Sequence, residues 1–243
     1  MATFFNFSNR LPDPTFTVNS AGAVEASGTA GPGFASVTVT SQRPVQVSRT
    51  ISGRGIHRET GSHTWEINVS YHPMRRDEFD VVQSFLDARN GRMRPFFVVL
   101  PQNSKPKDPL FATYAASNVV SVSGGHSAGS SAILMQGASV LSGSAKPGDF
   151  FTVSDPNDIN HLKVYKVTRV ETNSTYQSGT TQPTTSQMRV HVMPPLTKFV
   201  TSGAVINWIN PAFRVIQKSD TTEYQLSTDN LYQFGLNLEE IQP

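Results

Sequence analysis

The sequence contains no cysteine among its 243 residues. This absence excludes disulfide bonds, thiolate metal sites and a cysteine nucleophile, and it suits a protein that is assembled in a reducing cytoplasm. The six histidines do not show the spacing of metal ligands, and none is paired four residues apart on an expected helix. No glycine-rich loop precedes a helix, so nucleotide binding has no support. We therefore expect no cofactor and no metal.

Long apolar runs and a strong net charge are also missing. No stretch approaches the roughly 18 consecutive apolar residues of a membrane helix. The amino-terminal segment has no apolar run of signal-peptide length either, so we expect no membrane insertion. The 20 Lys and Arg against 18 Asp and Glu give a net charge of +2, which is too small for a surface that coats nucleic acid.

Turn-forming residues, by contrast, are abundant. The 17 Gly and 16 Pro, together with many Ser and Thr, predict numerous turns between short strands. We therefore expect a mainly β (α+β) fold with a single helix over residues 74–90, entered at Pro73. Asn90-Gly91 supplies the left-handed stop of that helix. Its apolar face has three- and four-residue spacing and consists of Phe79, Val82, Phe85 and Leu86.

Alternation of apolar and polar residues predicts strands on both sides of this helix. Residues 45–52 and 64–71 form the two strands of an expected long hairpin, with a loop over 53–61. An apolar strand follows the helix at Phe96–Leu100. Later strands are expected at Phe150–Val153, Leu162–Val170, Met188–Met193, Phe213–Ile216 and Leu231–Ile241.

The composition changes after Ser117 and indicates two domains. Residues 118–211 have the turn-rich pattern of a small β-barrel or sandwich. The strands of 212–243 need a sheet to join, and the simplest partner is the domain formed by residues 1–117. We therefore expect 118–211 to be an insertion into a discontinuous first domain.

One motif suggests an enzyme. The segment Gly125-His126-Ser127-Ala128-Gly129 matches the G-x-S-x-G pattern of a nucleophile elbow. The mechanism needs a strand, a strained turn and then a helix, whereas a strand-like run in a Ser/Gly-rich region follows this motif. A glycine-rich loop is the favoured interpretation, and we expect no catalytic residue.

Arginines gather at two places. One group lies on or near the exposed hairpin end, and the other brackets the expected helix. Since a guanidinium group makes forked hydrogen bonds to carboxylates, these residues are candidates for contacts with acids on a neighbouring subunit. Contacts with phosphate and plain solvation stay open as alternatives. The candidates are Arg49, Arg54 and Arg58 on the hairpin, and Arg75, Arg76, Arg92 and Arg94 around the helix.

The order of several motifs resembles a known family. The strand Trp65–Val69 is followed by Pro73-Met74 and Glu78-Phe79, then by Phe85–Arg92, then by Pro95-Phe96-Phe97 and Leu100-Pro101. Later matches are the turn Lys146-Pro-Gly-Asp149, the strand exit Met193-Pro-Pro-Leu196 and the closing Leu238-Glu-Glu240. This pattern is similar to that of bacteriophage tail proteins of the distal-tail or tail-tube-initiator type.

The resemblance implies a tail-tube-like β-sandwich with one flanking helix, plus the inserted domain. It further implies a virion protein, assembled in the host cytoplasm, that forms a three- or six-fold ring at the end of the tail. The expected partners are tail tube and baseplate or tip proteins, with DNA only passing through the channel. An alternative from another class is a β-rich binding module that recognises host-surface carbohydrate through residues 118–211.

Overall fold

The computed structural model describes residues 9–15, 17–18, 29–59, 62–177, 181–220, 224–227 and 229–242. The chain divides into two compact units, Met1–Phe97 with Val215–Ile241 and Val98–Arg214 with Gln242–Pro243. The structure is mainly β with a closed barrel and a curled sheet, which confirms the predicted fold class. The predicted domain limits at 117 and 211 stay a prediction.

The helices and strands fall into three groups along the chain. The part before the barrel contains β1 (Thr17–Val18), β2 (Thr29–Ala30), β3 (Phe34–Gln42), β4 (Val45–Arg49), β5 (Gly55–Glu59), β6 (Thr64–Tyr71), α1 (Arg76–Asp87) and β7 (Phe96–Val99). A 3-10 turn (Pro101–Asn103) and α2 (Pro109–Ser117) lead to β8 (Val120–Val122), β9 (Ala132–Gly137), β10 (Phe150–Ser154), β11 (Val164–Thr172), β12 (Gln187–Met193) and β13 (Val205–Asn207). The chain ends with β14 (Ala212–Gln217), β15 (Tyr224–Leu226) and β16 (Tyr232–Glu240).

The curled sheet has the strand order β3-β6-β16-β14-β7, and β15 also pairs with β16. Strand β6 alternates as predicted, because its apolar side chains all point to one buried face while its polar ones point to the other. The register places Val39 beside Ile67 and Ile67 beside Leu238, so three strands contribute to one apolar layer. The expected terminal strand is confirmed as β16.

Helix α1 covers that apolar layer. The four residues of its predicted apolar face are all buried, and its left-handed stop is confirmed at Asn90 (φ 53°) and Gly91 (φ 61°). The ring of Phe79 stacks on Tyr232 at 4.4 Å between centroids. Burying each such aromatic side chain contributes about 2–3 kcal/mol, so this contact fixes the helix on the sheet. The helix is Arg76–Asp87 rather than the predicted 74–90, and at its start the Glu78 carboxylate accepts a hydrogen bond from the Arg75 N–H at 3.4 Å.

The predicted pairing of residues 45–52 with 64–71 is wrong. Strand β4 pairs with β5, and β6 pairs with β3. Proline at position 44 offers no N–H for a ladder and separates β3 from β4. A tight turn then follows β4, because Gly53 adopts a φ of 80° that glycine reaches without strain. Residues 55–59, expected in a loop, therefore form β5.

The second unit contains a closed six-stranded barrel with the strand order β10-β11-β12-β9-β8-β13. Its interior is filled by large apolar side chains, among which Phe151 lies 4.8 Å from Trp208 between ring centroids. The turn at Lys146–Asp149 leads into β10 as expected, with the Asp149 N–H donating to the Lys146 carbonyl at 3.1 Å. Of the two inserted architectures that the sequence left open, the barrel is the one observed.

A second helix, α2, was not predicted, so the expectation of a single helix is wrong. Its amino terminus is capped by Asp108, whose carboxylate accepts from the Leu110 N–H at 3.0 Å, and Pro109 occupies the first helical position. The ring of Phe111 packs edge-on against Trp208 at 5.2 Å, so α2 covers the barrel core. The Asp108-Pro109 pair is a start signal for this helix in the sequence.

Candidate assembly surface

Strands β4 and β5 form a two-stranded extension, residues 45–59, which we call the arm. In the described part of the chain these strands pair only with each other. The apolar side chains of the arm are exposed: Val47 by 59%, Ile56 by 51% and Ile51, at the turn, fully. An isolated two-stranded sheet is marginally stable in water, and exposed apolar side chains mark contact sites. The arm therefore has the properties of an element that is completed by a partner.

Three of the candidate arginines lie on this arm. Arg49 ends β4, Arg54 is in the turn and Arg58 is in β5, and all three are exposed. Among the described residues, none of them forms an ion pair with a carboxylate. Within the described part of the chain, these guanidinium groups therefore stay available for carboxylates of another copy.

The other four candidates surround α1. Arg75 and Arg76 are exposed at its amino terminus, and Arg76 lies 3.5 Å from Asp80 in a solvated pair that contributes little. Arg92 and Arg94 follow the left-handed stop. The Asp220 carboxylate accepts from the backbone N–H of Arg92 at 3.4 Å, so this loop is held while its side chains stay exposed.

A concave surface lies on the polar side of the curled sheet, next to the ion pair of Glu66 with Lys218. It encloses a groove of about 780 Å³, and none of the described lining residues is charged. The register aligns Thr38 with Asn68 and Asn68 with Asn237, and the hydroxyls of Ser36 and Ser70 lie 2.7 Å apart. We call this surface the polar face; it consists of Ser36, Thr38, Asn68, Ser70, Gly235 and Asn237.

Strand β3 forms one edge of this sheet. In the described ranges it pairs with β6 only, so the other side of its backbone has no strand partner. This edge is nine residues long and contains no charge and no proline. Such an edge readily pairs with another chain.

The elbow motif does not have the geometry of a serine hydrolase. Ser127 lies in the loop between β8 and β9, and a strand rather than a helix follows it. The imidazole Nε2 of His126 accepts a hydrogen bond from the Leu134 N–H at 3.1 Å, while His126 also pairs with Val200 through its backbone. These contacts give the motif a role in closing the end of the barrel.

A buried charge cluster on the barrel was not found from the sequence. The carboxylate of Glu171, only 4% exposed, accepts hydrogen bonds from Arg169, from Arg189 at 3.1 Å and from His191 at 3.3 Å. Burial opposes ionisation of Glu171, but these bonds and the charge of Arg169 outweigh it, so the pKa of Glu171 lies below its ordinary value. Arg189 also donates to the Thr181 carbonyl at 2.7 Å. The cluster thus connects β11, β12 and the segment before β12.

Neither a metal centre nor a membrane helix is found in the residues that the structure describes. No group of three His, Asp or Glu side chains there is placed to hold a metal ion. No helix in these ranges is both long and apolar enough to cross a membrane.

A mainly β chain with a closed barrel and an exposed arm fits a structural assembly protein. Residues 112–200 match the family model described as distal tail protein pb9, B domain. That segment includes β8 to β12 and most of α2, and it covers less than half of the chain. The predicted resemblance to bacteriophage tail proteins of the distal-tail type is confirmed over these residues. No curated protein matches the chain.

Proposed function

We propose that this distal tail protein forms a ring at the end of the phage tail, where it links the tail tube to the baseplate or tip and surrounds the DNA channel. The polar face carries this proposal, because it is concave and its described lining residues are uncharged. Proteins hold DNA mainly through Lys and Arg contacts to phosphates. A face without such side chains lets DNA pass without holding it.

Two further features support a closed ring. Within the described ranges, the edge of β3 has no further strand partner and the two strands of the arm pair only with each other. A contact between two different surfaces repeats from copy to copy and closes into a ring when the rotation permits. A three- or six-fold ring would cover both surfaces in every copy.

The location and the partners follow from the same proposal. A phage tail protein belongs to the virion, and we propose that it is assembled there from copies made in the host cytoplasm. Its neighbours would be the tail tube on one side and baseplate or tip proteins on the other. We also propose that it catalyses no reaction, since a strand rather than a helix follows Ser127 and His126 is held by Leu134 and Val200.

Electron microscopy of the purified chain, together with its mass measured by light scattering, tests the ring. We expect particles of three or six copies around a central opening, at micromolar concentration and moderate salt. A monomer under all assembly conditions, combined with its absence from intact virions, would overturn the proposal.

Replacing both Arg92 and Arg94 by Ala is expected to weaken ring assembly and to leave the single copy folded. The reason is that both side chains are exposed, while the loop is held through the backbone N–H of Arg92. Assembly is measured by analytical ultracentrifugation and folding by thermal unfolding. The matched control replaces the exposed Lys105 and Lys166 by Ala. If the arginine variant assembles like the control, these residues are solvated and α1 serves the fold alone.

A further inference from the structure

The exposed acids of the described chain are concentrated on one helix. Among the Asp and Glu residues whose side chains are described, six are exposed, and four of these lie on α1: Asp77, Glu78, Asp80 and Asp87. Most of the remaining acids are buried or half-buried within the fold, as Glu171 is. Among the described residues, α1 therefore offers the largest group of carboxylates to a cationic surface of a second copy.

Three of these acids form a stripe. Asp77, Asp80 and Asp87 are separated by three and seven residues, which places them along one side of the helix. The stripe extends about 15 Å from first to last, at 1.5 Å for each residue. Between Asp80 and Asp87 the same side carries the uncharged Ser84. We call this surface the acidic stripe.

The arm has a matching pattern. Arg54, Ile56 and Arg58 are two residues apart, so their side chains share one side of β5 and its turn. The two arginines are about 13 Å apart along an extended chain. Asp80 and Asp87 are about 10 Å apart along the helix axis, with Ser84 between them. The charged, apolar and charged side chains of the arm therefore follow the same order as the charged, neutral and charged side chains of the acidic stripe, over a comparable length.

We propose that the arm of one copy lies along the acidic stripe of the next copy, with Arg54 and Arg58 paired to Asp87 and Asp80 and with Ile56 between them. This inference rests on the ring of the proposed function and specifies one of its contacts. This contact buries the exposed side chain of Ile56 and pairs the two arginines of the arm with carboxylates. Because arm and stripe are different surfaces, the contact is head-to-tail and propagates around a ring.

Charge reversal tests the contact. The arm variant Arg54→Glu/Arg58→Glu and the helix variant Asp80→Arg/Asp87→Arg each place like charges against one another. We expect each to raise the concentration needed for half-assembly at least ten-fold, measured by analytical ultracentrifugation. The chain that carries all four substitutions restores opposite charges at every contact and is expected to assemble as the wild type does.

Controls separate this contact from the ring itself. Circular dichroism checks that each variant is folded, and Lys105→Glu/Lys166→Glu provides the same charge change as the arm variant away from the arm. If both charge-reversal variants assemble into rings as the wild type does, the arm contact is overturned and the proposed ring remains. Disruption by both reversals without rescue in the four-fold variant also overturns the pairing. A wild type that never assembles overturns the ring and the contact together.

Discussion

Replacing Glu171 by Ala is expected to lower the free energy of unfolding of the barrel by about 3 kcal/mol, because it leaves a largely buried arginine without its carboxylate. The side chain of Arg189 is only 12% exposed, and Glu171 is its ionic partner. Arg189 keeps its hydrogen bond to the Thr181 carbonyl, and Arg169 is half exposed. The free-energy cost of leaving these arginines without a carboxylate is therefore smaller than it is for a fully buried ion. The loss is nevertheless large for a single domain, whose total stability is about 5–15 kcal/mol.

The two tryptophans allow the barrel to be measured in the complete chain. Trp208 is in the barrel core and Trp65 is in the sheet unit, so a Trp65→Phe background makes fluorescence report on the barrel. Urea unfolding in this background gives the difference between Glu171→Ala and its parent. The matched control is Lys198→Ala, which removes the partner of Asp158 from a partly exposed ion pair in the barrel unit, with Nζ and Oδ2 3.1 Å apart, and is expected to change little. Equal effects of the two substitutions would mean that the Glu171 cluster is not the anchor of β11 and β12.

Acid is expected to destabilise the parent barrel more than Glu171→Gln. The pKa of Glu171 is lower in the folded chain than its ordinary value of about 4.3. A group with a depressed folded pKa contributes its stability above the unfolded pKa and loses it as the pH falls through the folded pKa. Urea unfolding at pH 7 and below pH 4 measures the loss in each chain. Equal losses for parent and variant would show that the charge of Glu171 does not stabilise the barrel.

The sequence predicted the buried face of each helix and strand more reliably than it predicted which strands pair with each other. The alternation in β6 and the helical spacing in α1 identify the side chains that are buried, because burial follows from the direction of each side chain. The alternation of residues 64–71 does not indicate which strand pairs with them. The predicted partner, residues 45–52, is wrong, because β6 pairs with β3. Pairing depends on Pro44, whose missing N–H separates β3 from β4, and on Gly53, whose conformational freedom permits the turn of the arm.

The candidate surfaces were predictable only in part. Arginines on the arm were visible as charges next to a turn, whereas the polar face arises from three strands that the register brings together, β3, β6 and β16. The Glu171 cluster joins Glu171 to Arg189 across neighbouring strands, and the sequence distance between them gives no sign of the contact. Both features belong to tertiary structure, so single-residue patterns did not reveal them.

Placing lysines on the polar face is expected to slow DNA passage and to reduce infectious titre per particle at least ten-fold. Thr38, Asn68 and Asn237 lie side by side on adjacent strands and point into the groove. Their replacement by Lys adds three positive charges to each copy, and a ring multiplies this number. Phosphates would then bind the channel wall through release of counterions, which raises the cost of moving the DNA.

The measurements are plaque titre per physical particle and the rate of DNA release from virions that carry the substituted protein. Since binding by counterion release weakens with salt, the slow release should recover as salt is raised. The matched control places three lysines on exposed positions of the barrel unit, Val119, Ser154 and Asn207, and is expected to leave release unchanged. Replacement of Thr38, Asn68 and Asn237 by Gln lengthens the side chains without adding charge, so it shows whether side-chain size alone slows DNA release. A lysine variant that is incorporated normally and releases DNA at the wild-type rate would exclude the polar face from the channel wall, because three added cations per copy would then not meet the phosphates.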